Sequence, residues 1–243
     1  MTFGEFILTL QTNLDELFDI CNLENTLKFL KESILLGLPP LMRGTLIDDV
    51  ELKFYLSLDE LSEARRQQIL NEEIVAETFD DNYIEIYLPV IKMKKMRNQS
   101  NFDEEEFFLT IYHELFHIFS SRVKFYKQLD KVLKGHQEDF FGITKQDVEK
   151  FLVEVKDFDV EKFIKRKDMT RCWNKKYLEE CGQDEKDNGI LKYIERDDLR
   201  GVIEEVFAET FAEMIIKYPS PQECLPFKKL LENLFRLPGG ACC

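Results

Sequence analysis

Apolar residues recur along this chain with two different periods, and the changes of period mark out its elements. Phe6, Leu10, Leu14, Leu17 and Phe18 fall at helical spacing and predict a helix over residues 3–20. A second helix is expected over 24–36, ending before Gly37-Leu38-Pro39-Pro40, where proline removes backbone donors. From Val50 to Leu56 apolar and polar residues first alternate, which predicts a strand. Ser57-Leu58-Asp59-Glu60 fits a capping box that opens a helix running to about residue 71. Tyr83–Leu88 reads as a second strand closed by Pro89, because proline favours strand ends and sheet edges. A loop rich in Lys, Met, Asn and Ser follows, carrying the one basic cluster, Lys92, Lys94, Lys95 and Arg97.

The period then becomes helical again. Asn101 or Asp103 can cap a helix whose first turn holds Asp103, Glu104, Glu105 and Glu106, where negative charge suits the helix dipole. From Phe107 to Phe119 that helix is apolar almost all round, so burial is expected. Residues 123–200 are charged, Lys-rich and mostly helical in pattern. Within them Thr144-Lys145-Gln146-Asp147 resembles a helix start, and residues 182–189 read as an exposed loop. A second buried helix is expected over 201–216 and a last one over 224–236. The pattern defines an α+β protein: a small mixed sheet, near 50–56 and 83–88, packed on the helix at 103–119, with a mainly helical C-terminal part. An N-terminal helical segment, 1–40, is expected before one domain over 41–243, which includes the charged helical stretch at about 123–200.

Composition narrows this picture. With 243 residues, 44% of them hydrophobic, one large core can be buried; ten Gly and seven Pro are too few for a loop-rich or barrel architecture. A formal net charge of −14 opposes nucleic acid and anionic membranes. No apolar run reaches the roughly 18–20 residues that a membrane span needs. The N-terminus lacks the basic start of a Sec signal peptide, so a cytoplasmic protein is expected, or one exported without that signal, including into a host cell. The six cysteines show no CxxC spacing and are expected to be reduced thiols. Cys242-Cys243 resembles the doubly prenylated tails of Rab-type GTPases. It does not fit the CaaX rule and no polybasic stretch precedes it, so no lipid anchor is expected.

The chemistry is concentrated at His113-Glu114-Leu115-Phe116-His117. Residues four apart on a helix share a face, so His113 and His117 can offer two imidazole nitrogens to one metal ion, with Glu114 beside it to hold and deprotonate a water. The chain has three histidines and two are in this motif. Burying two His and a Glu in so apolar a segment is costly unless something satisfies them, and a metal ion does so. The third histidine, His136, lies in a charged stretch and reads as a surface residue. A catalytic zinc takes three protein ligands, so the third is sought among carboxylates on the helix after Gly201. Glu205 and Glu209 share a face there, with Glu204 and Glu213 as rivals. A structural zinc site would need a fourth ligand, for which Cys172 or Cys181 are the candidates.

His113–His117 followed by Glu205-Val206-Phe207-Ala208-Glu209 resembles the gluzincin pattern of the anthrax lethal-factor catalytic domain and the Pro-Pro endopeptidases. The resemblance implies a zincin-like fold and a zinc-dependent peptidase, with Glu205 as third zinc ligand and Glu209 as a carboxylate orienting a ligand His. It covers two short segments. It departs from the family in two ways. The stretch from His117 to Glu205 is longer than expected, so the resemblance implies a helical insertion at about 123–200. The family's transition-state-stabilising Tyr sits about two turns before the ligand Glu, where this chain has Asp198, and the nearby Tyr193 is expected to take that role. The expected function is a zinc endopeptidase acting on a protein or peptide substrate, compatible with a toxin or injected effector, with the strand at 83–88 lining the cleft. The competing expectation is a non-catalytic zinc-containing binding or sensor module.

Overall fold

The computed structural model describes residues 37–39, 42–43, 50–79, 83–96, 104–162, 189–196, 199, 202–216 and 227–235. The helices expected at 3–20 and 24–36, the six cysteines, and residues 182–188 of the expected loop lie outside the described residues.

Three strands form a mixed sheet in the order β1-β3-β2. β1 (Glu51–Tyr55) runs parallel to β3 (Tyr83–Tyr87), and β2 (Ala76–Phe79) runs antiparallel to it. Leu52 and Thr78 both pair with Ile84, and Ala76 with Ile86, so these side chains share one face by the strand period of two. The other face carries Lys53, Tyr55, Glu77, Glu85 and Tyr87. Helix α1 (Glu63–Glu72) reaches this second face through Arg65, which bonds the Tyr87 hydroxyl at 3.3 Å and pairs with Glu77.

Three local readings change. The stretch at 57–71 has two starts. Ser57 accepts from the Asp59 amide to begin a single 3₁₀ turn, and Ser62 accepts from the Arg65 amide at 3.3 Å to begin α1. β3 is the central strand, with both its edges paired. Pro89 does not mark an edge; it sits in the first turn of α2 (Leu88–Met96), where a helix has no use for its N–H. The basic cluster expected in a loop therefore lies largely on this helix.

α3 (Glu104–Val123) is the 20-residue helix that the apolar run anticipates. Phe108, Ile111, Tyr112, Leu115, Phe116, Ile118 and Phe119 on it are fully buried, each at 0% exposure. It packs on α6 (Ile203–Ile216) through aromatic rings: Phe116 stacks on Phe207 with centroids 6.2 Å apart and lies 5.2 Å from Phe211. Phe207 also meets Phe125 of α4 (Phe125–Leu133) at 5.7 Å and Phe151 of α5 (Lys145–Asp157) at 5.3 Å. The charged segment after 123 therefore contributes apolar residues to the same core as α3 and α6. A two-residue hairpin pair, β4 (Asp139–Phe140) and β5 (Ile143–Thr144), leads into α5. Thr144 and Asp147 cap α5 reciprocally, as their spacing predicts. Gly189, at φ +57°, packs where a Cβ would collide with the Tyr126 carbonyl, so the 3₁₀ turn at Gly189–Tyr193 lies tight against α4. α7 (Lys228–Leu231) and a 3₁₀ turn to Phe235 close the described chain. The protein is mixed α+β and mostly helical. Among the described residues no helix is long and apolar enough to cross a membrane.

Candidate metal centre

One face of α3 is buried by Phe116 and its neighbours, which turns His113 and His117 together toward α6. Their rings meet edge-on with centroids 4.8 Å apart, and their Nε2 atoms are 3.0 Å apart. On α6, Phe207 and Phe211 pack inward against Phe116, and this fixes the phase that brings Glu204, Glu205 and Glu209 to the histidines. Glu205 reaches both: its Oε2 is 3.0 Å from His113 Nε2 and its Oε1 is 3.4 Å from His117 Nε2. His113, His117 and Glu205 thus form a group that can hold a metal ion, with one ligand atom from each lying within 4.8 Å of the others. Their side chains are 13%, 19% and 18% exposed, so the group is largely desolvated but keeps some contact with solvent.

The remaining ring nitrogens face carboxylates as well. Glu209 Oε2 is 3.4 Å from His113 Nδ1, and Glu204 Oε1 is 3.6 Å from His117 Nδ1. A carboxylate at Nδ1 fixes the proton there and leaves the Nε2 lone pair for a metal. Glu204 thus stands behind His117 rather than in the place of Glu205. Glu213, the other rival, is buried farther along α6 and is not part of the group.

The electrostatics of the cluster favour positive charge. Burial alone would push the His113 imidazole down, but Glu205 and Glu209 outweigh it and hold its pKa at about 9. His117 is likewise opposed by burial and raised well above the ordinary imidazole value by Glu205 and Glu204. Burial would push the Glu205 carboxyl up, but His117 and His113 hold it well below the usual carboxylate range. Two nitrogens 3.0 Å apart can hold only one proton between them, so the imidazoles do not both present N–H groups to that gap. A cation bound to the two lone pairs and the Glu205 carboxylate meets the same demand for positive charge without that conflict.

Glu114 projects beside the group. Its Oε2 accepts a 2.6 Å hydrogen bond from the Thr78 hydroxyl, which also lies 3.2 Å from the Glu114 carbonyl oxygen. Thr78 belongs to β2, a strand that the apolar pattern did not reveal, so sequence reasoning missed it. Tyr193 is not brought to the site. It is 41% exposed, its ring lies 5.0 Å from Lys192 Nζ, and it lies near Lys134 at the end of α4. His136 is exposed at the end of α4, as expected of a surface residue. Cys172, Cys181 and Asp198 lie outside the described residues.

In comparisons with known proteins, no family model, no curated protein and no solved structure matches this chain.

Proposed function

We propose that the protein is a zinc-dependent endopeptidase of zincin-like build, in line with the resemblance of its two motifs to the gluzincins. The observation that carries this reading is the convergence of two Nε2 atoms and one carboxylate with separations of 3.0–3.4 Å, next to an unligated Glu. Atoms held about 2.0–2.1 Å from a zinc ion at tetrahedral angles lie about 3.3 Å apart, and each Nε2 has one of the two Glu205 oxygens at 3.0 or 3.4 Å. Two imidazoles and one carboxylate also match zinc's ligand preference and leave one position for water or substrate.

When bound, zinc supplies a Lewis acid that polarises the scissile carbonyl and lowers the pKa of water from ~15.7 toward ~7. The residues of the chain do the rest. Glu204 and Glu209 hold the Nδ1 protons of His117 and His113 and keep both rings in the ligating orientation. Glu114 takes the proton of the attacking water on its carboxylate and passes it to the leaving amine. Among the described residues β2, and not the central strand β3, is the edge strand beside Glu114, so an extended peptide would add there by main-chain hydrogen bonds. The resemblance to the lethal factor makes an effector role compatible with this chemistry without changing it.

The test is zinc content by elemental analysis, with cleavage of an unfolded protein substrate followed in parallel. Wild type should carry one zinc per chain, and Glu205→Ala should lose it. Glu114→Gln should keep the zinc and lose at least the ~10²–10⁴-fold that a general base supplies. Wild type that takes up no zinc when it is supplied would end this reading.

A further inference from the structure

The geometry points to Thr78 as a positioning residue for the base: its hydroxyl fixes the Glu114 carboxylate, and through it the edge strand β2 sets where the proton is taken. This rests on the peptidase reading for its catalytic consequence, but the contact itself does not.

Thr78 is the odd residue on its face of the sheet. Its neighbours there are Ala76, Leu52, Ile84 and Ile86, all of them apolar, and the face lies against α3. A hydroxyl placed among them needs a partner, and it finds two oxygens of one residue, Glu114 Oε2 at 2.6 Å and Glu114 O at 3.2 Å. A hydroxyl has one proton to donate. The shorter contact is to the carboxylate, and a bond to a charged oxygen is also the stronger one, so the proton goes to Oε2. One carboxylate oxygen is then tied to the sheet and the other is left for the water.

The strand that carries this hydroxyl is itself pinned from the opposite face. Glu77, the preceding residue, pairs with Arg65 of α1 and lies 3.4 Å from the Tyr87 hydroxyl. Because strand side chains alternate, residue 77 faces α1 while residue 78 faces α3. Sliding β2 by one residue would point residue 77 or 79 at Glu114 in place of the hydroxyl. The antiparallel register therefore holds Thr78 at a fixed height over the base. A freely rotating Glu side chain would sample several rotamers, and catalysis by a base depends on placement within a fraction of an ångström.

The experiment uses the full chain, zinc-loaded, with Thr78→Val, Thr78→Ser, Glu114→Gln and the double variant Thr78→Val/Glu114→Gln. The substrate is a mixed-sequence quenched-fluorescence peptide library. Thr78→Val should keep one zinc and lower kcat tenfold or more with KM little changed. Thr78→Ser should recover most of that loss. In the Glu114→Gln background Thr78→Val should cost little further activity, because the two act as a unit. A Thr78→Val variant with wild-type kcat, or a loss confined to KM, would overturn the proposal.

A second measurement does not need turnover. Urea unfolding of the same four proteins without metal should show Thr78 and Glu114 coupled, with the double variant's unfolding constant about tenfold closer to wild type than the two single changes together imply. Additive effects would refute the bond whatever the activity. If wild type binds zinc and cleaves nothing while the cycle shows coupling, the peptidase reading fails and the hold of Thr78 on Glu114 stands.

Discussion

Each histidine of the candidate metal group has a carboxylate at its back, and that pairing makes a prediction at single positions. Glu209 stands 3.4 Å from His113 Nδ1 and Glu204 stands 3.6 Å from His117 Nδ1. Neither donates an atom to the metal-holding group, so removing either should weaken metal binding without abolishing it. The expected loss for Glu209→Ala and for Glu204→Ala is about 10–100-fold in zinc affinity, measured by competition with a chromogenic chelator. Glu205→Ala should lose far more, because it removes a ligand. Equal losses in all three would mean that the assignment of Glu205 as the ligand is wrong. Much of this was legible in the sequence. His113 and His117 are four apart in an apolar helix, and Glu205 and Glu209 are four apart in another. The role of Glu204 was not legible, since spacing along α6 alone places it near the cluster without saying which nitrogen it faces. Tyr193 misled because nearness in sequence to Glu205 said nothing of the 3₁₀ turn that holds it against α4.

At the scale of elements, long periodic segments were readable and short ones were not. α3 and α6 announce themselves by uninterrupted apolar faces, β1 by alternation, and α5 by the Thr144–Asp147 cap. β2 is four residues, Ala-Glu-Thr-Phe, and half of its side chains make polar contacts on both faces of the sheet, so its pattern is that of a loop. The turn-favouring Asp80-Asp81-Asn82 between Phe79 and Tyr83 was the available signal; those two rings stack at 5.5 Å. The sheet also carries a pH-sensitive element. Glu85, 8% exposed, accepts from the Tyr55 and Tyr87 hydroxyls at 2.7 Å each and from Lys53 Nζ at 3.2 Å. Burial would push its carboxyl up, but these three donors outweigh burial and hold its pKa below the ordinary value. A carboxylate depressed in the folded state adds stability that is fully present above its unfolded pKa of about 4.3 and is lost as pH falls through the lower, folded value. Wild type should therefore be more stable than Glu85→Gln at neutral pH. The gap should start to close only below about pH 4.3, as followed by urea unfolding across an acid series. A gap that is constant with pH would mean the carboxylate charge contributes nothing.

Across the whole molecule, the metal group bridges two helices that are also joined by the aromatic core, and this decides what metal removal should do. Phe207 meets Phe116, Phe125, Phe151 and Phe227, so α3, α4, α5 and α6 share one packed centre that needs no ion. Burying one such ring is worth about 1.5–3 kcal/mol. A metal held at a thousand times its dissociation constant adds about 4 kcal/mol by mass action, comparable to two rings. The fold should therefore survive chelation. The competing module, with zinc as a structural staple, would need a fourth ligand, and its candidates Cys172 and Cys181 lie outside the described residues. A structural site of that kind unfolds when its metal is withdrawn. Treatment with a strong chelator should abolish peptide cleavage while the far-ultraviolet circular dichroism stays native at 25 °C. The melting temperature should drop by about 8–16 °C, the shift that ~4 kcal/mol produces in a chain of this size. Returning zinc should restore both activity and melting temperature. Collapse of the helical signal at 25 °C on chelation would instead make the metal part of the fold, and the site would then be a staple rather than a catalyst.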